Sequence, residues 1–248
     1  MATKTFEIPK VLQGADPHGC CAGCGHGIAT RIIYEVIDEL GLSKKAVAFH
    51  DLACGANMVF AQRGNAFSGA HGRAIPTATG YKRIRPDMLV FSYAGDGATY
   101  NIGMQHTVHT AMRNENITAI VVNNTNFGMT GGQMSATSTI GQKTTSSPAG
   151  RDSKKNSNPM SIENLYHGMD IAYLARGAVD CVVNVNKTKK FLKKAFEKQI
   201  AGEGFSLVEI IAPCPTNWGM TPAQACERIQ NELYEKYPIG EFIERGVL

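Results

Sequence analysis

Apolar residues recur at Ile28, Ile32, Ile33, Val36, Ile37 and Leu40, the spacing of one buried helical face, and Gly41 supplies a stop. A second kind of pattern follows: short runs that are apolar at nearly every position. Ala46 to Leu52, Met88 to Ala94, Ile117 to Val122 and Phe205 to Ile211 are the clearest. Continuous runs of that length predict strands covered on both faces, as in a parallel sheet. Shorter runs predict strands near Ala172 to Leu174 and Cys181 to Val185. Helical periods predict helices near Ile75 to Tyr81, within Asn101 to Asn114, near Ser161 to Met169, over Thr188 to Ile200, and from Pro222 onward. Strands and helices alternate without an internal repeat, which predicts a single doubly wound, mostly parallel α/β domain over residues 1–248.

Two segments stand outside this alternation. Residues 1–27, rich in Gly, Pro, Cys and His, read as an irregular arm. Residues 125–160 are a long stretch of Gly, Ser, Thr, Gln and Asn, and so long a loop in a compact domain is usually functional.

Composition narrows the class only modestly. The chain has 248 residues, 43% hydrophobic and 19% charged, with a net charge of +4. That length buries a full α/β core. The charge falls short of a nucleic-acid signature. No apolar run approaches the roughly 18 residues of a membrane span, and the first residues lack the apolar core of a signal peptide, so a cytoplasmic protein is the default expectation. Seven cysteines in a reducing compartment are then core residues or metal ligands rather than disulfides.

Candidate chemistry begins with Gly95-Asp96-Gly97 and Asn123-Asn124, whose Asp96 and Asn124 lie 28 positions apart. Each ends an apolar run, with room between them for a crossover helix. That arrangement sets an acid and an amide side by side at the carboxyl ends of parallel strands, where open α/β sheets bind ligands. Both offer hard oxygen donors suited to Mg²⁺ carrying a diphosphate. The flanking glycines admit a close backbone approach, and the following helix offers free N–H groups. A second set is Cys21-Ala-Gly-Cys24, whose C-x₂-C turn lets two thiolates reach one metal centre. Cys54 and Cys214 each follow a predicted strand, at the same rim of the sheet. Four such thiolates suit a [4Fe–4S] cluster or a structural zinc ion. Cys181 and Cys226 read as small buried hydrophobes. Cys20 is open: it could serve in a shifted register, but only Cys21 gives the x₂ spacing to Cys24.

The Gly95-Asp96-Gly97 and Asn123-Asn124 pair resembles the thiamine diphosphate signature of transketolases, pyruvate decarboxylases and their relatives. That resemblance implies Mg²⁺ bound by Asp96, Asn124 and the carbonyl of Asn126. The whole chain, over about residues 18–235, resembles the β subunit of the 2-oxoacid:ferredoxin oxidoreductases. The likeness rests on Cys21-Ala-Gly-Cys24-Gly-His-Gly, His71-Gly72-Arg73-Ala-Ile-Pro76, the two diphosphate motifs, Phe127-Gly-Met-Thr-Gly-Gly-Gln133, and Pro213-Cys-Pro-Thr-Asn-Trp-Gly219. It implies a pyrophosphate-domain fold and oxidative decarboxylation of a 2-oxoacid to acyl-CoA. Electrons would pass through a [4Fe–4S] cluster on Cys21, Cys24, Cys54 and Cys214 to ferredoxin.

The resemblance also implies that Leu52, Ala53, Cys54 and Gly55 line the cofactor. Relatives commonly have Ile-Gly-Cys-Ser there, so Ala53 and Gly55 are departures. It further implies that His71 approaches the diphosphate, that Gly97, Ala98 and Gly128 present N–H groups to it, and that Gly95 also lies at the cofactor. Met129 would face substrate or CoA. No glutamate sits in a convincing cofactor context, so the ring-activating glutamate is expected from a partner α chain, with γ and δ chains as further candidate partners. Branched-chain acids of the 2-oxoisovalerate type are the favoured substrates, 2-oxoglutarate the next. The alternative is a thiamine diphosphate decarboxylase or synthase without a cluster, its cysteines structural or zinc-binding. The lysine-rich helix reads as an ordinary surface helix with a solvated face.

Overall fold

The computed structural model describes residues 7–246. Seven strands form one sheet in the order β2-β1-β3-β4-β6-β5-β7. They are β1 (Ala46–His50), β2 (Asn65–Ser68), β3 (Leu89–Gly95), β4 (Thr118–Asn123), β5 (Tyr173–Ala178), β6 (Ser206–Ile211) and β7 (Gly240–Glu244). All neighbours pair in parallel except β7, which runs antiparallel to β5. Alternate residues of each central strand feed opposite cores, as the two-residue period requires. Leu89, Phe91 and Tyr93 of β3 join helices His26–Glu39 and Val182–Ile200, whereas Val90 faces helices Ala74–Ile84 and Met104–Met112. The doubly wound architecture is therefore as expected, and β1, β3, β4 and β6 lie contiguously at its centre.

Several local expectations are corrected. Cys181 to Val185 is not a strand: Cys181 caps a helix whose first turn contains Val182 and Val183, which are 76% and 74% exposed. Three valines in four residues imitate a strand, but they stand at a helix start on the surface. The strand expected near Ala172 to Leu174 continues to Ala178, because the apolar run is broken only by Arg176, which is fully buried. The helix expected from Ser161 to Met169 shrinks to the single turn Ile162–Leu165. β2 and β7 were hidden because both are short edge strands with partly exposed, polar-rich sequences.

Arg176 explains how β5 stays buried. Its guanidinium donates to Glu209 Oε2 at 2.5 Å, to Glu163 Oε2 at 2.6 Å and to the Pro238 carbonyl at 3.1 Å. The rings of Tyr237 and Phe242 lie 5.3 and 5.2 Å from it. Glu209 in turn accepts from Asn123 Nδ2 at 3.2 Å, and Asn123 Oδ1 accepts from the Thr125 N–H at 3.0 Å. A charged network beneath the sheet thus reaches the loop that follows β4. Breaking a buried pair by removing one partner typically costs about 3–5 kcal/mol. Because Glu163 remains as a partner, Glu209→Gln is expected to cost about 3 kcal/mol in a urea melt, the lower end of that range.

Candidate active site

Four strand ends converge at the carboxyl edge of the sheet. Asp51 follows β1, Asp96 follows β3, Asn124 follows β4 and Cys214 lies just beyond β6. A cleft there is lined by Leu52, Ala53, Cys54, Gly55, His71, Gly95, Asp96, Gly97, Ala98, Asn124, Asn126 and Gly128, with His26 and Phe127. Every residue expected at the cofactor except Met129 therefore borders one cleft. Met129, 48% exposed, instead lines an adjoining cavity, with Cys20, Cys21, Cys24, Cys54 and Cys214. Cys54, Asn124 and Gly128 belong to both cavities and form the wall between them.

The loop after β4 is built to turn oxygens inward. Thr125 has φ of 58°, a left-handed conformation rarely adopted by a β-branched residue. The strain, of order 1–3 kcal/mol, is held by Asn123 Oδ1 on its N–H, and by Ser138 Oγ and Gln142 Nε2 donating to its carbonyl. The reversal brings the Asn126 carbonyl back toward the Asn124 side chain. The end of the Asn124 side-chain amide then stands 2.8 Å from the Asn126 carbonyl oxygen and 3.2 Å from Asp96 Oδ1. Turned NH₂-inward, the amide donates to both oxygens; turned oxygen-inward, it completes a set of three oxygens suited to a dication. Octahedral Mg²⁺ with ligands at about 2.0–2.1 Å sets neighbouring oxygens about 3 Å apart, which the observed separations bracket. These residues fit the ion.

Asp96 is buried and its Oδ2 accepts from Ser135 Oγ at 2.6 Å and Thr137 Oγ1 at 2.5 Å, leaving Oδ1 for the cation. Burial pushes its pKa up to about 6, against the two hydroxyl donors, so the bare carboxylate lacks a countercharge. Ser135 and Thr137 come from the long polar loop, which gives that loop a task its composition did not specify. Arg151 fastens it, donating to the carbonyls of Ser135, Ala136 and Ser138.

The other wall is organised by Asp51, which the sequence reading missed. Its carboxylate accepts from the backbone N–H of Gly72 at 3.0 Å and Ala74 at 3.3 Å, and bonds His71 Nδ1 at 2.8 Å. His71 is thereby aimed into the cleft. A lone acid at the end of a predicted strand was the available signal. His26 and His50 are buried, and burial holds both near pKa 4, neutral at physiological pH. Gly97 has a further reason beyond the one expected. A Cβ there would stand 2.4 Å from the Phe127 ring, so the glycine makes room for this chain's own aromatic side chain.

Ala53 has φ of 77°, so the alanine pays the Cβ penalty at a position where glycine costs nothing. Ala53→Gly is expected to stabilise the chain by about 1 kcal/mol, read as a raised thermal midpoint with the cleft intact.

Beyond the wall, Asn217 Nδ2 donates to the Gly128 carbonyl at 2.9 Å and lies 3.5 Å from Cys214 Sγ, tying the thiol cavity to the oxygen site. The cysteine arm docks on the segment that follows β6, through Gly25 N–H to the Pro213 carbonyl at 3.2 Å. Burial and the neighbouring Cys24, Cys214 and Cys21 raise Cys54 to about 12, whereas a hydrogen bond from Cys20 lowers Cys24 to about 7. Among the described residues, no three His, Cys, Asp or Glu side chains stand close enough to share a single metal ion. Cys20, Cys21, Cys24, Cys54 and Cys214 instead share the lining of one cavity. Cys181 and Cys226 do not line it; both are half-buried rather than core residues.

A cleft at the carboxyl edge of this sheet places the fold in the class of thiamine pyrophosphate enzyme domains. Residues 43–210 match the family model described as the thiamine pyrophosphate enzyme, C-terminal TPP binding domain. Within that class, the chain belongs to the β-type subunits of the 2-oxoacid:ferredoxin oxidoreductases. It is 34% identical to the ketoisovalerate oxidoreductase subunit VorA of Methanothermobacter thermautotrophicus, over 91% of this chain and 48% of the relative. It is 31% identical to the 2-oxoglutarate synthase subunit KorB of Methanocaldococcus jannaschii, over 96% and 91% respectively. The fold matches the 2-oxoglutarate:ferredoxin oxidoreductase of Magnetococcus marinus with TM-score 0.74 and 25% identity, covering 98% of this chain and 90% of that one. That structure has 2-oxoglutarate, coenzyme A and succinyl-CoA bound. The chain spans about half the length of the VorA relative. Among the described residues no helix is long and apolar enough to cross a membrane.

Proposed function

We propose that this chain is the cofactor- and cluster-bearing subunit of a 2-oxoacid:ferredoxin oxidoreductase. It would act with a partner α chain in the oxidative decarboxylation of a 2-oxoacid to acyl-CoA and CO₂. The carrying observation is the shared wall: Cys54, Asn124 and Gly128 separate the convergent oxygens from the thiol cavity by one layer of residues. A decarboxylase that passes no electrons onward has no need of that proximity.

Asp96, Asn124 and the Asn126 carbonyl would hold Mg²⁺, with Ser135 and Thr137 fixing the carboxylate. His71, oriented by Asp51, and the N–H groups of Gly97 and Ala98 would receive the diphosphate oxygens. Bound thiamine diphosphate supplies an electron-accepting ring that makes loss of CO₂ feasible. Cys21, Cys24, Cys54 and Cys214 would hold a [4Fe–4S] cluster as the outlet for electrons toward ferredoxin. None of the described residues lining the cleft is a glutamate, and Glu35 and Glu39 are engaged by Lys189 on the surface. The ring-activating acid would then come from the partner, which would cover Leu52 and Met129, the exposed apolar residues that line the two cavities. Branched-chain 2-oxoacids are the preferred substrates, supported by the likeness to a ketoisovalerate subunit; 2-oxoglutarate is the second choice.

The anaerobically purified complex, assayed with CoA and a viologen acceptor against a panel of 2-oxoacids, tests this reading. Acceptor reduction fastest with 2-oxoisovalerate, none by the isolated chain, and a broad air-sensitive absorbance near ~400 nm are expected. Zinc in place of iron, with decarboxylation independent of an acceptor, would establish the cluster-free alternative.

A further inference from the structure

Cys20 has no place in the four-thiol set, yet it lies in the same cavity. Its side chain is half-buried and packs against the core, with Sγ 4.0 Å from the Cys54 carbonyl oxygen. Cys21, by contrast, is exposed and makes no side-chain hydrogen bond in the described structure. The two are adjacent in a tight turn. Cys24 N–H bonds the Cys21 carbonyl at 3.1 Å, and Gly23 takes φ of 73°, a conformation that favours glycine. Both residues line the same void, and the more buried of them is the one outside the x₂ spacing.

We propose that Cys20 is an alternate cluster ligand, able to replace Cys21 at one iron while Cys24, Cys54 and Cys214 stay in place. The inference rests on the cluster reading above. In the exchange one Fe–S(Cys21) bond breaks and one Fe–S(Cys20) bond forms. The proton leaving the Cys20 thiol passes, directly or through solvent, to the released Cys21 thiolate, and no iron changes oxidation state. A subunit with this reserve would keep its cluster when the exposed Cys21 is alkylated or oxidised.

The test reconstitutes the full chain anaerobically with ferrous iron and sulfide. Iron and sulfide content are measured, and the electron paramagnetic resonance spectrum is recorded after reduction. Cys21→Ala is expected to retain about four irons per chain, as a [4Fe–4S] cluster requires, with altered g-values. Cys20→Ala combined with Cys21→Ala is expected to lose most of that iron while keeping its circular dichroism. Iron loss in Cys21→Ala as complete as in the double variant would overturn the proposal, and so would full retention in the double variant. A wild-type chain that binds no iron would instead refute the cluster reading itself, and this inference with it.

Discussion

Asp96→Ala is expected to abolish Mg²⁺-dependent binding of thiamine diphosphate without unfolding the chain. Substituting residues that merely orient metal ligands already costs 10–100-fold in affinity, so loss of the one charged ligand is expected to exceed about a hundred-fold. The fold should tolerate the change. Asp96 is a buried carboxylate whose burial disfavours its own charge, so alanine relieves a desolvation penalty while removing the acceptor of two hydroxyls, which still lie 3.0 Å from each other. These terms oppose one another, and apo stability should shift by no more than about 1–2 kcal/mol. Trp218 is the chain's only tryptophan, and its Nε1 donates to the Asn124 carbonyl at 3.2 Å. Its fluorescence therefore reports on the metal loop. A Mg²⁺ and thiamine diphosphate titration that changes Trp218 emission in the wild type should do nothing in Asp96→Ala. An unchanged titration would remove Asp96 from the metal site.

The second large effect concerns the thiols, and Cys214 is the informative one to remove. Cys54 borders both cavities, so its loss would disturb cofactor and cluster together. Cys214 lines only the thiol cavity. Cys214→Ala is expected to lose the absorbance near ~400 nm and most of the iron, and to lower viologen reduction by the assembled enzyme more than a hundred-fold. Affinity for thiamine diphosphate should stay within a few-fold of wild type, measured through Trp218. Full iron content in this variant would show that the four-thiol set is wrong. Loss of diphosphate binding as well would show that the two cavities are not separable.

The two variants divide a site that the fold divides in the same way. Oxygen donors come from the loops after β3 and β4, and thiols come from the arm and from the ends of β1 and β6. Parallel strands β1, β3, β4 and β6 are adjacent, so four segments far apart in sequence open at one edge.

Much of this was legible in the chain itself. Continuous apolar runs specify central strands because both faces of a parallel sheet are covered, and β1, β3, β4 and β6 announced themselves in that way. Asp96, Asn124 and the cysteine spacing were readable because metal and diphosphate chemistry demands particular atoms at strand ends. Elements whose stability comes from neighbours were not. Arg176 looks incompatible with a buried strand until Glu209 and Glu163 neutralise it from elsewhere in the chain. Asp51 is an unremarkable acid until the turn at Gly72 and Ala74 brings two N–H groups and His71 to it. The polar loop of residues 125–160 carries no period, because its order comes from hydrogen bonds to Asp96, Thr125 and Arg151 rather than from a buried face. The sequence by itself therefore determined the central strands, the candidate ligand residues and the family. Only the tertiary structure decided that the oxygens converge, that one wall joins them to the thiols, and that five cysteines rather than four surround the void. Local patterns record what each segment buries; convergence depends on contacts between segments that no local pattern encodes.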